Sequence, residues 1–389
     1  MDAAPHVFRS LLCLTLAPCL LHCGGARQQV VQLDPIEFKV DRSGGGHHVY
    51  VRDFATLTDE AMARYHAGEW AEAVRLFDLL VREYPAEPGI AAVQHNAGLA
   101  LLRLGRPADA AQRFADVQRR SKGTRDARDA LFLYAEAIDA AGQPQAAADT
   151  LRGALDDAAV QADIGGPLGV LDQLEAAARM GLALRRALDP THADEAFKRV
   201  ERIYNDHRDV QVVAESEWVA RSLYERGEIY RELFASIHFK LPVERMKRDL
   251  EDKANLFLKA ENAYFHCVRL HHRTWSLAAG FEIGHLYSQL VDDIDHAEAP
   301  PELDALTVEV YRDELWNHTE RLAKRGIAIH RQNVALAGRL GEKDSDWAAR
   351  SEEQIGRLEK MIEVATQRRA RLNDPKALPL PAETTPTAK

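Results

Sequence analysis

The chain has 389 residues, 46% apolar and 28% charged, a composition that excludes a disordered polypeptide and is too long for one ordinary compact core. A net charge of −10 and the lack of any long Lys/Arg run argue against nucleic acid as a partner, which calls for a basic face. Aromatic residues are only 7% while Ala and Leu are abundant, so helix is favoured over strand. Three of the four cysteines, Cys13, Cys19 and Cys23, fall in the first 23 residues. Cys267 stands alone in the body, and no internal disulfide is expected.

At the N-terminus, Arg9 is followed by an apolar run from Leu11 to Leu21 that is too short to span a bilayer. Pro18 and Gly24-Gly25 interrupt helix, so residues 1–22 read as a secretory signal segment. The segment Leu20-Leu21-His22-Cys23 resembles a bacterial lipobox, with His22 in place of the usual small residue. That resemblance implies that Cys23 becomes the lipidated first residue of the mature chain. Gly24 rather than Asp after it implies the outer membrane, with the body in the periplasm. Three acyl chains give stable anchoring where one does not.

Residues 23–53 show no helical period and read as a flexible tether. Ser43-Gly44-Gly45-Gly46 is its hinge and Val49-Tyr50-Val51 a possible short strand. His47-His48 reads as a solvated loop pair.

From residue 54 to 164 the chain repeats itself with a period of 37. Gly68, Gly105 and Gly142 keep this step. So do Ala61, Gly98 and Ala135; Ala73, Ala110 and Ala147; and Phe77, Phe114 and Leu151. Each unit predicts a helix hairpin. The small residue marks a close helix approach, and the glycine closes the first helix in a left-handed cap. Pro107 and Pro144 open the second helix, where no N–H bond is lost. A small and a large apolar residue four apart then share its buried face.

With Trp70, Phe77 and the closing Tyr84-Pro85, the unit resembles the tetratricopeptide repeat, degenerate but present three times. The resemblance implies an all-α fold, a TPR-like α-α superhelical solenoid of helix-turn-helix repeats. It further implies that first helices line a concave groove for partner peptides or helices. Carried onto this sequence, the groove positions are Met62, Tyr65 and His66, then His95, Leu99, Leu102 and Arg103, then Phe132, Glu136 and Asp139. Tyr65, Leu99, Leu102 and Phe132 are expected to form a solvent-facing apolar strip.

Residues 165–373 read as a divergent continuation. Gly165-Gly166-Pro167-Leu168-Gly169 is read as a linker between two solenoid parts. Gly181 with Ala193 to Val200 reads as a fourth, stretched repeat. Gly227/Tyr230 and Gly284/Tyr287, each three apart, mark further first helices. Leu256 to Val268 and Thr319 to Ala335 are read as second helices, and Ser351 to Asn373 as a polar capping helix. Residues 374–389 are Pro/Thr-rich and expected to be disordered. Residues 210–360, with Tyr311 to Leu315 after Pro300-Pro301, are similar to TPR lipoproteins of gliding and predatory bacteria. That similarity implies an envelope complex such as a motility machine; outer-membrane assembly and Tol-Pal lipoproteins are the neighbouring resemblance.

No Walker loop, GxSxG elbow, HExxH or CxxC pair is present. His266, Cys267, His271 and His272 form the best metal candidate, since Cys267 and His271 share a helix face, but two further ligands are missing. The expectation is a non-enzymatic scaffold with no cofactor and no metal, binding envelope proteins. A metal-dependent accessory enzyme using Cys267 and His271 is the rival. Asp292-Asp293-Ile294-Asp295 lacks the offsets of a calcium loop. Most of Trp218, Trp275, Trp316 and Trp347 are expected in the inter-repeat core.

Overall fold

The computed structural model describes residues 37–41, 48–343 and 345–374, the first two strands by backbone alone. The signal segment, Cys23, the glycine hinge and residues 375–389 lie outside the described residues. Two units are distinguished, ending and beginning at Asp53 and Phe54.

The first unit contains an antiparallel hairpin of β1 (Glu37–Asp41) and β2 (His48–Arg52). Phe38 lies opposite Val51 and Val40 opposite Val49. Apolar and polar residues alternate in both strands, and the register places the apolar ones on one side of the ladder. The possible short strand read at Val49-Tyr50-Val51 is present within β2, and Glu37–Asp41 is its partner.

The second unit is helical. Six helix hairpins follow one another: α1 (Phe54–His66) with α2 (Trp70–Glu83), α3 (Ile90–Arg103) with α4 (Pro107–Arg120), and α5 (Arg125–Ala140) with α6 (Pro144–Asp156). After a short α7 (Ala158–Asp163) come α8 (Val170–Arg186) with α9 (Pro190–Asp206). A one-turn α10 (Gln211–Ala214) precedes α11 (Glu217–Ser236) with α12 (Val243–Arg269), and then α13 (Arg273–Asp295) with α14 (Ala305–Leu340). The last helix is α15 (Asp346–Leu372). This is a tetratricopeptide-type α-solenoid.

One packing rule runs through all six hairpins. A small residue of the first helix faces a large one of the second: Ala61 and Phe77, Gly98 and Phe114, Ala135 and Leu151, Gly181 and Phe197, Gly227 and Tyr264, Gly284 and His330. A Cβ on Gly98 would stand 2.6 Å from the Phe114 ring, on Gly181 2.5 Å from Phe197, and on Gly284 2.6 Å from His330. The glycines are therefore required by helix approach. Four residues before each large one sits Ala73, Ala110, Ala147, Ala193, Ala260 or Gly326. Three residues after it sits Leu80, Val117, Ala154, Val200, Cys267 or Asn333, each buried. The repeat thus extends through α14, with second helices lengthened in the fifth and sixth copies.

The first four hairpins turn the same way. Gly68, Gly105 and Gly142 have φ of 77°, 70° and 83°. In each turn the following N–H bonds five residues back, as in Glu69 to Arg64, Arg106 to Leu101 and Gln143 to Ile138. That pairing satisfies carbonyls left open at a helix end. The fourth turn repeats it, Asp189 to Leu184, but its left-handed residue is Leu188, at φ 60° and 88% exposed. A leucine pays the Cβ–carbonyl clash there with no burial in return. Leu188→Gly should therefore stabilise the chain by about 0.5–1 kcal/mol in urea melts, relief of the clash exceeding the added unfolded-state entropy.

The glycine segment 165–169 is not a linker between independent parts. The Arg128 guanidinium donates to the carbonyls of Ile164 at 3.3 Å and Gly166 at 3.2 Å and pairs with Asp172. One apolar core runs across it, from Val74 to Ile329. A smaller core lies under α1 to α3, and two more lie under α15, around Trp316 with Leu358 and around Leu277 with Ala348.

Candidate binding face

The first helices are α1, α3, α5, α8, α11 and α13, and the predicted groove positions lie on α1, α3 and α5. On α1 and α3 these positions mix apolar residues with His66, His95 and Arg103. Met62 and Tyr65 are half-buried, and the Met62 sulfur accepts from the Asn96 side chain at 3.4 Å. Tyr65 meets His66 edge-on and packs against the cores on both sides. Leu99 and Leu102 are half-buried, and Arg103 and His66 are exposed. His95 packs edge-on to Phe114 and is held below its usual pKa by burial, against the pull of Asp129 and Asp126.

Phe132 corrects the expected strip. It is 9% exposed and part of the main core. The other members of its register, His95, Ala178, Tyr224 and Phe281, also sit against the facing second helices, so bulk at this position packs inward. The solvent-facing strip is Tyr65, Leu99 and Leu102.

From α5 onward the face changes character, because successive first helices are joined by ions. Glu136 accepts from Arg179 at 2.8 Å, and Asp139 pairs with Arg186 through both guanidinium donors. Arg185 bridges Glu225 and Glu232. Arg231 bonds Glu228 at 2.6 Å and reaches Glu282 at 3.4 Å. Glu136 and Asp139 thus spend their charge on the neighbouring repeat. Arg179 and Arg221 stack over Trp218, and Arg221 over Trp275, continuing the seam. Bidentate arginine geometry and stacking fit arginine better than lysine at these positions.

Glu136 and Asp139 were singled out from sequence as groove positions, but their arginine partners and Glu225, Glu228, Glu232 and Glu282 were not, because those helix positions follow only once the Gly181, Gly227 and Gly284 register is known. That register also explains the Gly/Tyr pairs. The Tyr230 hydroxyl donates to Asp194 at 2.8 Å and the Tyr287 hydroxyl to Glu261 at 2.9 Å, each acid lying on the preceding second helix.

Cys267 occupies the core position held elsewhere by Leu80, Val117 and Val200. Its thiol donates to the Ala220 carbonyl at 3.3 Å, and burial pushes its pKa up to about 12. A thiol held protonated at neutral pH is a poor nucleophile and a poor zinc ligand. His271 ends the helix at φ 55° in an exposed turn, His272 caps α13, and His266 faces Glu201. The four side chains thus serve four different local purposes, and no group of three or more potential ligands is arranged for a metal among the described residues. Asp292 and Asp293 are ion-pair partners of Arg357 and of the buried Lys253. No helix of the described residues is long and apolar enough to cross a membrane.

These hairpins and this row of first helices define a helical-repeat protein of the tetratricopeptide type, a class whose extended concave surfaces bind other proteins. Residues 59–86, within the first hairpin, match the family model described as tetratricopeptide repeat. No curated protein sequence matches the chain. Among solved structures, the chain is similar to a protein of Podosopora anserina with nearly identical TPR-like repeats. That match has 18% identity and a TM-score of 0.37, and covers 54% of this chain and 96% of the other. It is also similar to the C-terminal part of a TPR repeat-containing protein from Cytophaga hutchinsonii. Identity there is 11% and the TM-score 0.40, covering 80% of this chain and 98% of that one. A tetratricopeptide repeat protein from Parabacteroides merdae has 11% identity and a TM-score of 0.34, covering 77% and 98%. These likenesses are distant, and the fold assignment rests on the six hairpins themselves.

Proposed function

We propose that the protein is a non-enzymatic scaffold of the bacterial cell envelope. It is anchored in the outer membrane through an acylated Cys23 and docks a helix or extended peptide of an envelope protein on its first-helix face. The observation that carries this reading is the apolar strip of Tyr65, Leu99 and Leu102. It lies where the face is not already closed by ion pairs. A solenoid that only stacks has no use for half-exposed leucines on that face, whereas a docking partner does. The anchor rests on Leu20-Leu21-His22-Cys23. A motility machine is the setting that the resemblance of residues 210–360 implies.

One experiment addresses both halves. The double variant Leu99→Glu, Leu102→Glu should stay folded, at a cost of about 1–2 kcal/mol for two half-buried side chains, and lose its captured partner. Substituting Phe132 would not serve, because that ring is core. Cys23→Ser should move the protein from the detergent phase to the aqueous phase of a phase partition. Retained capture by the double variant, or unchanged partition of Cys23→Ser, contradicts the corresponding half.

A further inference from the structure

The sixth hairpin breaks the packing rule in one respect. Where the other five place Phe77, Phe114, Leu151, Phe197 and Tyr264, it places His330. Where they place Leu80 or Val117, it places Asn333. His330 is fully buried, and its ring lies against the Gly284 backbone. Neither ring nitrogen makes a hydrogen bond among the described residues. His285, one turn along α13 from Phe281, stacks on that ring at 5.6 Å, and His330 lies 5.5 Å from the same ring. The Nδ1 of His285 is also buried without a hydrogen bond. Two imidazoles thus share one apolar pocket with Phe281 between them.

The lid of the pocket is α15. Trp347 lies tilted against Phe281 at 5.5 Å, and Arg350 covers both rings, at 4.1 Å from Phe281 and 4.6 Å from Trp347. Two turns further, Arg357 pairs with Asp292 of α13 at 2.7 Å.

We propose that this pocket is an acid-sensitive latch, in which proton uptake by His330 and His285 releases α15 from α13 and α14. The charges around the rings set the direction. From α15 Arg350 and Arg357 face His285 and Arg357 also faces His330; from α11 Arg231 faces His285; from α13 Asp292, bound to Arg357, faces His285, and Glu282, three residues before His285, is bound to Arg231. Glu228 of α11 lies beyond Glu282. Burial first, then Arg231, Arg357 and Arg350, hold His285 down to about 4 against the pull of Asp292, and burial first, then His285 and Arg357, hold His330 down to about 4 against the Gly284 carbonyl. Glu282 takes up its own proton near 7, so an imidazolium formed at lower pH finds the pocket already stripped of that carboxylate. The folded pKa of each histidine lies below the ordinary value of 6.5. Their contribution to stability is therefore complete above about 6.5 and is lost as pH falls toward 4. Release falls on α15 because it carries two of the three repelling arginines and, among the described residues, packs chiefly on α13 and α14. The hairpin α13–α14 keeps its packing on α11 and α12.

Hydrogen exchange of the full chain, corrected for intrinsic rates, reads the latch directly. Between pH 7.5 and 4.5, protection of residues 346–372 should fall at least tenfold, while α3 to α6 keep theirs. The double variant His330→Phe, His285→Gln, which restores the ring of the other repeats, should hold α15 at pH 4.5. His285→Gln alone leaves the fully buried ring in place and should move the midpoint to lower pH. Unchanged protection of α15 in the wild type would overturn the proposal whatever the variants do. So would equal loss in the double variant, an unmoved midpoint in the single one, or simultaneous loss in all helices.

Discussion

Gly227→Leu should be the most damaging single substitution on the first-helix row, at about 3–5 kcal/mol. A Cβ at Gly227 would stand 2.7 Å from Cζ of the Tyr264 ring, and Tyr264 is fully buried. The ring has no free rotamer to retreat into, since Tyr224 lies 5.8 Å from it. Its hydroxyl also donates to Glu228 at 2.5 Å. Overpacking alone costs about 1–3 kcal/mol, and taking the Tyr264 donor from the buried Glu228, which keeps Arg231, adds about 1–2 kcal/mol. Because each repeat contacts only its neighbours, the damage should divide the melt, with α1 to α9 unfolding near the wild-type urea midpoint and α11 to α15 well before it. Gly356→Ala is the contrast. That glycine is on α15 with open space around it, and alanine there should gain up to about 1 kcal/mol from helix propensity.

The second large effect is electrostatic. Glu282 is 5% exposed, and burial together with Glu228 raises its pKa to about 7, against the pull of Arg231 and Arg350. The folded state therefore holds this proton more tightly than the unfolded state. Its contribution is fully present below the ordinary value of 4.5 and is lost as pH rises through 7. At 1.36 kcal/mol per pKa unit, the ionised side chain costs roughly 3 kcal/mol above neutrality. Glu282→Gln keeps the shape and removes the charge, so at pH 8 it should raise stability by about 1–3 kcal/mol, the lower figure allowing for the lost contact to Arg231. Between pH 5 and 7 the variant's stability should change less with pH than the wild type's. A loss of stability at pH 8 would mean that the Arg231 contact outweighs desolvation.

The extent of the fold that sequence reveals follows from how the repeat is written. In α1 to α6 the period is constant, and the glycine, the proline and the small-large pair are all visible at fixed offsets. After α7 the same chemistry persists but the spacing stretches, because α12 and α14 run to 27 and 36 residues. A fixed-period comparison then loses the match between Gly227 and Tyr264, although it is the same contact as Gly98 and Phe114. Leu188 hides the fourth turn altogether, since nothing in its side chain marks a left-handed residue. Lys253, which nothing in the sequence singles out, is buried, donating to the carbonyls of Phe234 and Ile237 and pairing with Asp293. On the candidate face, the first-helix positions of Tyr65, Leu99 and Leu102 follow from the sequence because they lie in the regular repeats. Phe132 was misplaced because whether a groove position opens to solvent depends on the size of the residue across from it. The ion-paired seam from Glu136 to Glu282 is formed between repeats, and a single helix does not display its partner.

Photocrosslinking tests the central claim most directly. A benzophenone amino acid would be placed singly at Leu102 on α3, or at Leu258 or Phe265 on the exposed outer side of α12, in the full-length protein in its native membranes. Docking on the first-helix face predicts a discrete protein adduct from Leu102 and none from Leu258 or Phe265. Adducts from α12 with none from Leu102 would show that partners engage the second helices, and would contradict the account.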